Sequence, residues 1–114
     1  MKVKAWNNGS HRLDGNGYGI KVRPADRDRF FLRVWGTVMV DLEEEAESVE
    51  LNIDKETFWN PTCRELISVR IGKWLIKNHL APWPAGQPPV LNLIQIGERH
   101  FFMTIKSLKG SPDE

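Results

Sequence analysis

The sequence predicts an α+β fold in which a strongly bent, mostly antiparallel sheet or partial barrel carries one main helix. Three observations lead to this fold class. Several segments alternate apolar and polar residues with the period of two that a half-buried strand requires. Residues 61–80 instead repeat apolar residues at three- and four-residue spacing, which is typical of a helix. Asn-Gly and Asp-Gly pairs near the N-terminus supply the positive φ that tight hairpin turns need.

The length of the chain predicts one folded unit. Its 114 residues, with a mass of 13.2 kDa, match a single domain of ordinary size. With 40% apolar and 27% charged residues, the composition is typical of a globular protein and not of a disordered one. We therefore expect a single α+β domain over residues 1–106 and a frayed polar tail over residues 107–114.

Two short strands open the predicted order. Residues 2–6 form the first strand, and residues 18–22 alternate in the second, which ends before Pro24. The segment between them is rich in Gly, Asn and Asp, so it predicts turns and neither a calcium loop nor a phosphate-binding loop.

A long central strand is the next prediction. Residues 30–42 carry apolar side chains, or Gly36, at every second position, and only a strand places such a set on one face. Because thirteen residues exceed the usual strand length, we expect a bend at Gly36. Residues 49–53 alternate in the same way and predict the antiparallel partner of this strand.

The main helix is predicted over residues 61–80. Asn60 is a good N-cap and Pro61 suits the first helical position. Its apolar stripe consists of Cys63, Ile67, Ile71, Trp74 and Leu75. Ser68 and Gly72 are small, which predicts that another backbone approaches the helix closely.

A proline-rich connection and a hairpin complete the predicted order β-β-β-β-α-β-β. Residues 81–89 form the connection, and residues 90–96 and 101–105 pair around a short loop. The predicted core contains Phe30, Val34, Val38, Ile67, Ile71 and Trp74.

Charge is distributed unevenly along the chain although the net charge is only +1. Residues 1–33 hold eight Lys or Arg and three Asp, whereas residues 34–60 hold one Lys and eight acidic residues. Surface ion pairs within the chain, or a contact between two surfaces of opposite charge, account for such an imbalance. With a pI near 7.9, the chain falls short of the basic character expected of a dedicated nucleic-acid binder.

The sequence contains no motif for a metal, a cofactor or catalysis. Cys63 is the only cysteine and the three histidines lie far apart, so we expect no disulfide framework and no metal site. No apolar run approaches the roughly 18 residues that cross a bilayer. We expect a cytoplasmic protein with no cofactor and no membrane association.

One predicted surface calls for a partner or a cover. The face of residues 30–42 opposite the core carries two large aromatics, a Met and an Arg, and such residues are enriched at interface cores. Either the helix or the loop around Trp83 covers this face, or a partner binds it. The candidate partner-binding residues are Arg27, Arg29, Phe31, Arg33, Trp35 and Trp83.

Three functions remain open at this point. The favoured hypothesis is a non-catalytic protein-interaction or accessory module, with a second copy of the chain as one candidate partner. The alternative is a protein that binds single-stranded nucleic acid by stacking bases on the aromatic candidates while Lys21 and the arginine candidates contact phosphates. The third is a small enzyme with a site assembled from distant residues such as Asp26, Arg29 and His100.

Overall fold

A computed structural model describes residues 1–106, and the tail predicted over residues 107–114 lies outside the described residues. The strands are β1 (Lys2–Asn7), β2 (Tyr18–Lys21), β3 (Thr37–Leu42), β4 (Val49–Asn52), β5 (Glu65–Ile67), β6 (Val90–Gly97) and β7 (His100–Thr104). The helices are α1 (Pro24–Phe30), α2 (Glu56–Trp59) and α3 (Val69–Lys77). A single 3-10 turn spans Arg33–Trp35.

All seven strands belong to one sheet with the order β4-β3-β7-β6-β1-β2-β5. Neighbouring strands are antiparallel except for β3 and β7, which run parallel. The edge strands β4 and β5 contact each other, so the sheet is nearly closed around the core. The chain is therefore a mixed α+β fold with a bent, mostly antiparallel sheet, as the sequence predicts. Residues 1–106 contain three helices instead of one main helix, and the order of elements differs from the prediction.

Three pairs of strands follow the alternation in the sequence. β1 pairs antiparallel with β2, and β3 pairs antiparallel with β4. β6 and β7 form the expected C-terminal hairpin. In β3 and β4 every second side chain is buried, which confirms the face assigned to the core.

The long strand predicted over residues 30–42 is wrong in its first half. Pro24 begins α1, because proline suits the first turn of a helix, and α1 continues to Phe30. The 3-10 turn follows and ends at Gly36, whose φ of +76° takes the chain out of the turn and into β3. Val34 is 88% exposed on this turn, so its place in the predicted core is also wrong.

The helix predicted over residues 61–80 is nine residues long and begins at Val69. The side chain of Asn60 does not cap a helix; its oxygen accepts hydrogen bonds from the amides of Thr62 and Cys63 and closes a turn. β5 then pairs with β2, and Ser68 caps α3 by accepting from the amide of Ile71. Ile67, predicted in the core, lies on β5 and is 49% exposed.

The other predicted core residues lie inside. Val38, Ile71 and Trp74 are buried, and Phe30 is partly buried against the core. Trp74 also donates its indole N–H to the backbone oxygen of Glu43 at 3.0 Å, which fixes α3 to the loop after β3.

The close approach predicted at Gly72 is confirmed. A Cβ on Gly72 would lie 2.2 Å from the backbone oxygen of Gly15, in the turn before β2. Gly15 itself has a φ of +89° and lies against the backbone of Val69. These two glycines bring α3 against the β1–β2 connection and set the position of β2 beside α3.

Candidate functional site

Phe31 does not lie on an exposed face. It is 2% exposed, stacks on Phe101 with ring centroids 4.9 Å apart, and meets the edge of Phe58 at 5.3 Å. Because its segment leaves α1 toward the core, Phe31 points inward, and the predicted strand face that would have exposed it does not exist. Of the two outcomes left open for this face, Phe31 shows burial by the chain itself.

Two of the candidate arginines are engaged within the chain. Arg27 is buried and donates to the backbone oxygens of Phe58 at 3.1 Å and Asn60 at 3.0 Å. Arg33 is more exposed and pairs with Asp54 at 3.0 Å and Glu56 at 3.4 Å. The first arginine joins α1 to α2, and the second joins the 3-10 turn to Asp54 and to the first residue of α2.

The remaining candidates lie in different surroundings. Arg29 is exposed and lies over the ring of Phe30 at 5.1 Å. Trp35 and Trp83 are partly buried against the core. Trp83 contacts the rings of His11 and Tyr18 edge-on, at 5.0 and 5.7 Å. The six candidates therefore do not share one strand face, and a role for any of them in binding a partner stays a prediction.

A different set of residues forms a pocket with a volume of about 450 Å³. We call it the cationic pocket. Its lining consists of Lys2, Val3, Lys4, Lys21, Val22, Arg23, Arg64 and Val90. None of the six predicted partner-binding residues belongs to this lining.

Strand register brings the pocket residues together. Lys4 of β1 lies directly opposite Lys21 of β2 on one side and Val90 of β6 on the other. Lys2 shares the face of Lys4, because alternate residues of a strand point the same way. The end of β2 leads into Arg23, and Arg64 immediately precedes β5.

The charges in the cationic pocket are all of one sign. Five cationic side chains line it and no carboxylate does. Within residues 1–106, Lys2, Lys4 and Lys21 form no ion pair, although Glu65 lies opposite Lys21 in the ladder. Arg23 alone has a carboxylate partner, Asp26, at 2.9 Å outside the lining.

Arg64 is held rigidly at the pocket wall. Its backbone has a φ of +62°, and its amide donates to the oxygen of Thr57 at 2.8 Å. The guanidinium donates through Nε to the oxygen of Val22 at 2.8 Å and through Nη1 to the oxygen of Pro61. Its Nη2 makes no hydrogen bond to the described residues, so donors remain for a ligand. A non-glycine residue with positive φ is uncommon and is often associated with function.

The acidic segment of the chain forms its ion pairs away from the cationic pocket. Glu45 pairs with Lys77 of α3 at 3.0 Å, and Glu43 pairs with Lys106 at 3.2 Å. Arg70 of α3 donates to the backbone oxygens of Glu47 and Ser48. The acidic loop thus packs against α3 instead of the basic N-terminal segment.

A serine, an aspartate and a histidine meet on the outer side of the sheet without forming a catalytic triad. His100 Nε2 lies 2.8 Å from Asp41 Oδ1, and the hydroxyl of Ser48 donates to the same oxygen. Both bonds lower the pKa of the Asp41 carboxyl, with the bond to His100 as the larger cause. Because the serine bonds to the carboxylate instead of the imidazole, the histidine is not placed to activate it.

The residues suggested for a small enzyme have separate partners. Asp26 pairs with Arg23, Arg29 lies over Phe30, and His100 bonds to Asp41. Residues 1–106 contain no group of three or more metal-binding side chains. No helix in the same residues has the length and apolar character to cross a bilayer.

The sequence contains a signal for the cationic pocket, but only in combination with strand register. Lys2 and Lys4 alternate in the first strand, and Lys21 follows in the second. The hairpin register, in which Asn7 pairs with Tyr18, is what places Lys4 opposite Lys21. Comparison of the chain with protein-family models, with curated proteins and with solved structures found no match.

Proposed function

We propose that the protein is a non-catalytic binding module whose cationic pocket holds an anionic group of its partner. The observation that carries this proposal is the convergence of Lys2, Lys4, Lys21, Arg23 and Arg64 on one pocket with no carboxylate in its lining. Such an arrangement of like charges repels itself, and an anion bound among them relieves the repulsion.

The composition of the pocket favours binding over catalysis. Its side chains are lysine, arginine and valine, with no His, Cys, Asp or Glu among the lining residues. Transfer of a proton near neutral pH uses one of those four types or a lysine that burial has removed from water, and Lys2 and Lys4 are exposed. The pocket residues supply charge, donors and apolar surface, which are the components of a recognition site.

Thermal unfolding with inorganic diphosphate as the probe tests the proposal. A ligand that binds only the folded chain raises its stability, by about 2.7 kcal/mol at a hundred times the dissociation constant. We expect the Tm of the full chain to rise by several degrees with diphosphate. Sodium chloride at the same ionic strength should raise it less.

Two variants with the same loss of charge locate the effect. Lys4→Gln removes a cation at the centre of the pocket, whereas Lys73→Gln removes one from the exposed side of α3. The diphosphate effect should shrink several-fold in Lys4→Gln and persist in Lys73→Gln. Equal effects in both variants, or no rise with diphosphate, would overturn the proposal.

A second candidate function is self-association through the 3-10 turn. Leu32 and Val34 are 53% and 88% exposed on either side of Arg33, which the pairs to Asp54 and Glu56 hold in place. Two exposed apolar side chains on a fixed turn favour a protein contact. Sedimentation should then give a dimer that Val34→Ser dissociates, and a monomer at high concentration would reject this candidate.

A further inference from the structure

We propose that the ligand of the cationic pocket is a small organic phosphate monoester. Its phosphate lies among Lys4, Lys21 and Arg64, and its organic part lies against Val90. This inference rests on the proposed function, because it assigns a chemical class to the anion that binds the same pocket.

The pairing of Lys4 with Lys21 calls for a ligand with more than one negative charge. The two residues lie directly opposite each other on neighbouring antiparallel strands, where Cβ atoms are about 5 Å apart. Like charges at such positions destabilise a sheet. A monoester carries a charge of about −1.5 to −2 at neutral pH, whereas a carboxylate or a phosphodiester carries about −1.

Arg64 supplies the directional part of the site. Its guanidinium is fixed by the backbone oxygens of Val22 and Pro61, so little side-chain freedom is lost when it binds a ligand. A fixed guanidinium offers planar donors that match phosphate oxygens, while the lysines add mobile point charges. Asp26 and Glu65 are the neighbouring carboxylates, and neither of them lines the pocket.

The size of the pocket and Val90 point to an organic group beyond the phosphate. The volume of about 450 Å³ lies in the range of small-molecule sites. Val90 is 52% exposed and lies opposite Lys4 on the side away from Lys21. A ligand whose phosphate lies between the lysines can reach this apolar side chain with its remaining atoms by extending across Lys4.

A single-stranded nucleic acid fits the pocket less well. Recognition of single strands relies on aromatic side chains on which bases stack, and the pocket lining contains none.

Isothermal titration of the full chain with phenyl phosphate tests the ligand class. Diphenyl phosphate, benzoate, inorganic phosphate and a short oligonucleotide are measured at the same ionic strength. We expect phenyl phosphate to bind about tenfold more tightly than diphenyl phosphate or benzoate, because its second charge meets the paired lysines. Its affinity should also exceed that of inorganic phosphate, since the phenyl ring covers Val90.

The pH dependence gives an independent readout. The second ionisation of a phosphate monoester lies near pH 6, and no histidine lines the pocket. The affinity for phenyl phosphate should therefore rise between about pH 5 and pH 7.5 as the ligand gains its second charge. The affinity for diphenyl phosphate should stay level over that range.

Variants of the pocket test the contact with the phosphate and the contact with the organic group separately. Val90→Asn should weaken phenyl phosphate to the level of inorganic phosphate and leave inorganic phosphate itself unchanged. Arg64→Lys should weaken both phosphates several-fold, and Lys21→Gln provides a second test if Arg64→Lys fails to fold. Lys73→Gln, outside the pocket, should leave both affinities unchanged.

The outcomes distinguish this inference from the proposed function. If none of the anions binds at the pocket, both fail. If benzoate and diphenyl phosphate bind as tightly as phenyl phosphate, the pocket still binds anions but the assignment to a monoester is overturned. Preference for the oligonucleotide would replace the small ligand with a nucleic acid.

Discussion

A single residue, Gly72, determines how closely α3 packs against the connection between β1 and β2. Alanine normally improves a helix over glycine by about 1 kcal/mol, but a Cβ at this position would lie 2.2 Å from the oxygen of Gly15. We expect Gly72→Ala to destabilise the protein by about 1–3 kcal/mol, because the backbone must move apart. Urea unfolding measures the change. A stabilised Gly72→Ala would contradict the contact.

Phe31 and Val34 lie close together in the sequence, but we expect their replacement by alanine to change stability by very different amounts. Phe31 is buried in the stack with Phe101, so Phe31→Ala should cost about 3–5 kcal/mol of unfolding free energy. Val34 is 88% exposed, and Val34→Ala should stay within about 0.5 kcal/mol. Chemical denaturation of both variants tests the pair. A larger loss of unfolding free energy in Val34→Ala than in Phe31→Ala would instead support the continuous strand that the alternation predicts.

Arg27 holds α1 and α2 together at the scale of elements. Its Nη1 donates to the backbone oxygens of Phe58 and Asn60, and a buried acceptor left without its donor costs about 1–3 kcal/mol. Arg27→Met should therefore destabilise the protein by at least about 2 kcal/mol. Arg29→Met on the exposed side of the same helix should change stability little. Similar losses in equilibrium unfolding of the two variants would show that Arg27 does not join the helices.

Glu43 makes stability depend on pH where the loop after β3 meets β7. The hydroxyl of Thr104 donates a hydrogen bond to the Glu43 carboxylate at 2.5 Å, and this bond is the main cause that lowers the pKa of the carboxyl from its usual 4.5. Lys106 lowers the pKa further, to a smaller extent. The unfolded chain then takes up this proton at a higher pH than the folded one. The contribution of Glu43 to the unfolding free energy is therefore complete when the pH is above the usual pKa. It is lost as the pH falls below that value toward the lower pKa of the folded chain.

Glu43→Gln should flatten the pH profile in this range. We expect the unfolding free energy of the variant to fall less than that of the wild type between about pH 5 and pH 3. Glu47→Gln, on the same loop, has no side-chain partner among the described residues and should keep the wild-type profile. Denaturant unfolding at several pH values measures this, and parallel profiles for Glu43→Gln and the wild type would reject the assignment.

The alternation of residues predicts the strand pairs whose two members lie close together in the sequence. β3 with β4, and β6 with β7, pair as expected because each pair is joined by a short connection. Residues 30–36 also place apolar side chains at every second position, yet they form the end of α1 and a 3-10 turn. A seven-residue helix with few apolar residues has no stripe that sequence periodicity can detect.

The helix predicted for the segment before α3 is wrong for a different reason. The oxygen of Asn60 has the chemistry of a helix cap, but it closes a turn with Thr62 and Cys63. Residues 65–67 become a strand because β2 offers them an edge, and Gly19 opposite Ile67 leaves room for their backbone. This partner lies far away in the sequence, so periodicity within the segment cannot reveal it.

Across the whole molecule, the acidic loop and the cationic pocket lie in two separate regions. The acidic loop around Glu45 is balanced by Lys77 and Lys106, and Arg33 balances Asp54 and Glu56. In the cationic pocket at the junction of β6, β1 and β2, Arg23 is the one cation that forms an ion pair within residues 1–106, and its partner Asp26 lies outside the lining. The sequence predicts the imbalance but not the pocket, because the convergence depends on the pairing of three strands.

A titration with inorganic diphosphate, followed by the amide signals of the isotope-labelled full chain in NMR spectra, tests the cationic pocket most directly. We predict that the largest saturable shifts occur at Lys4, Lys21 and Arg64. The amides of Arg70 and Lys77, which lie on the basic side of α3, should move little at the same ionic strength. Shifts confined to α3, or shifts that grow linearly with salt over the whole surface, would contradict a built anion site at the cationic pocket.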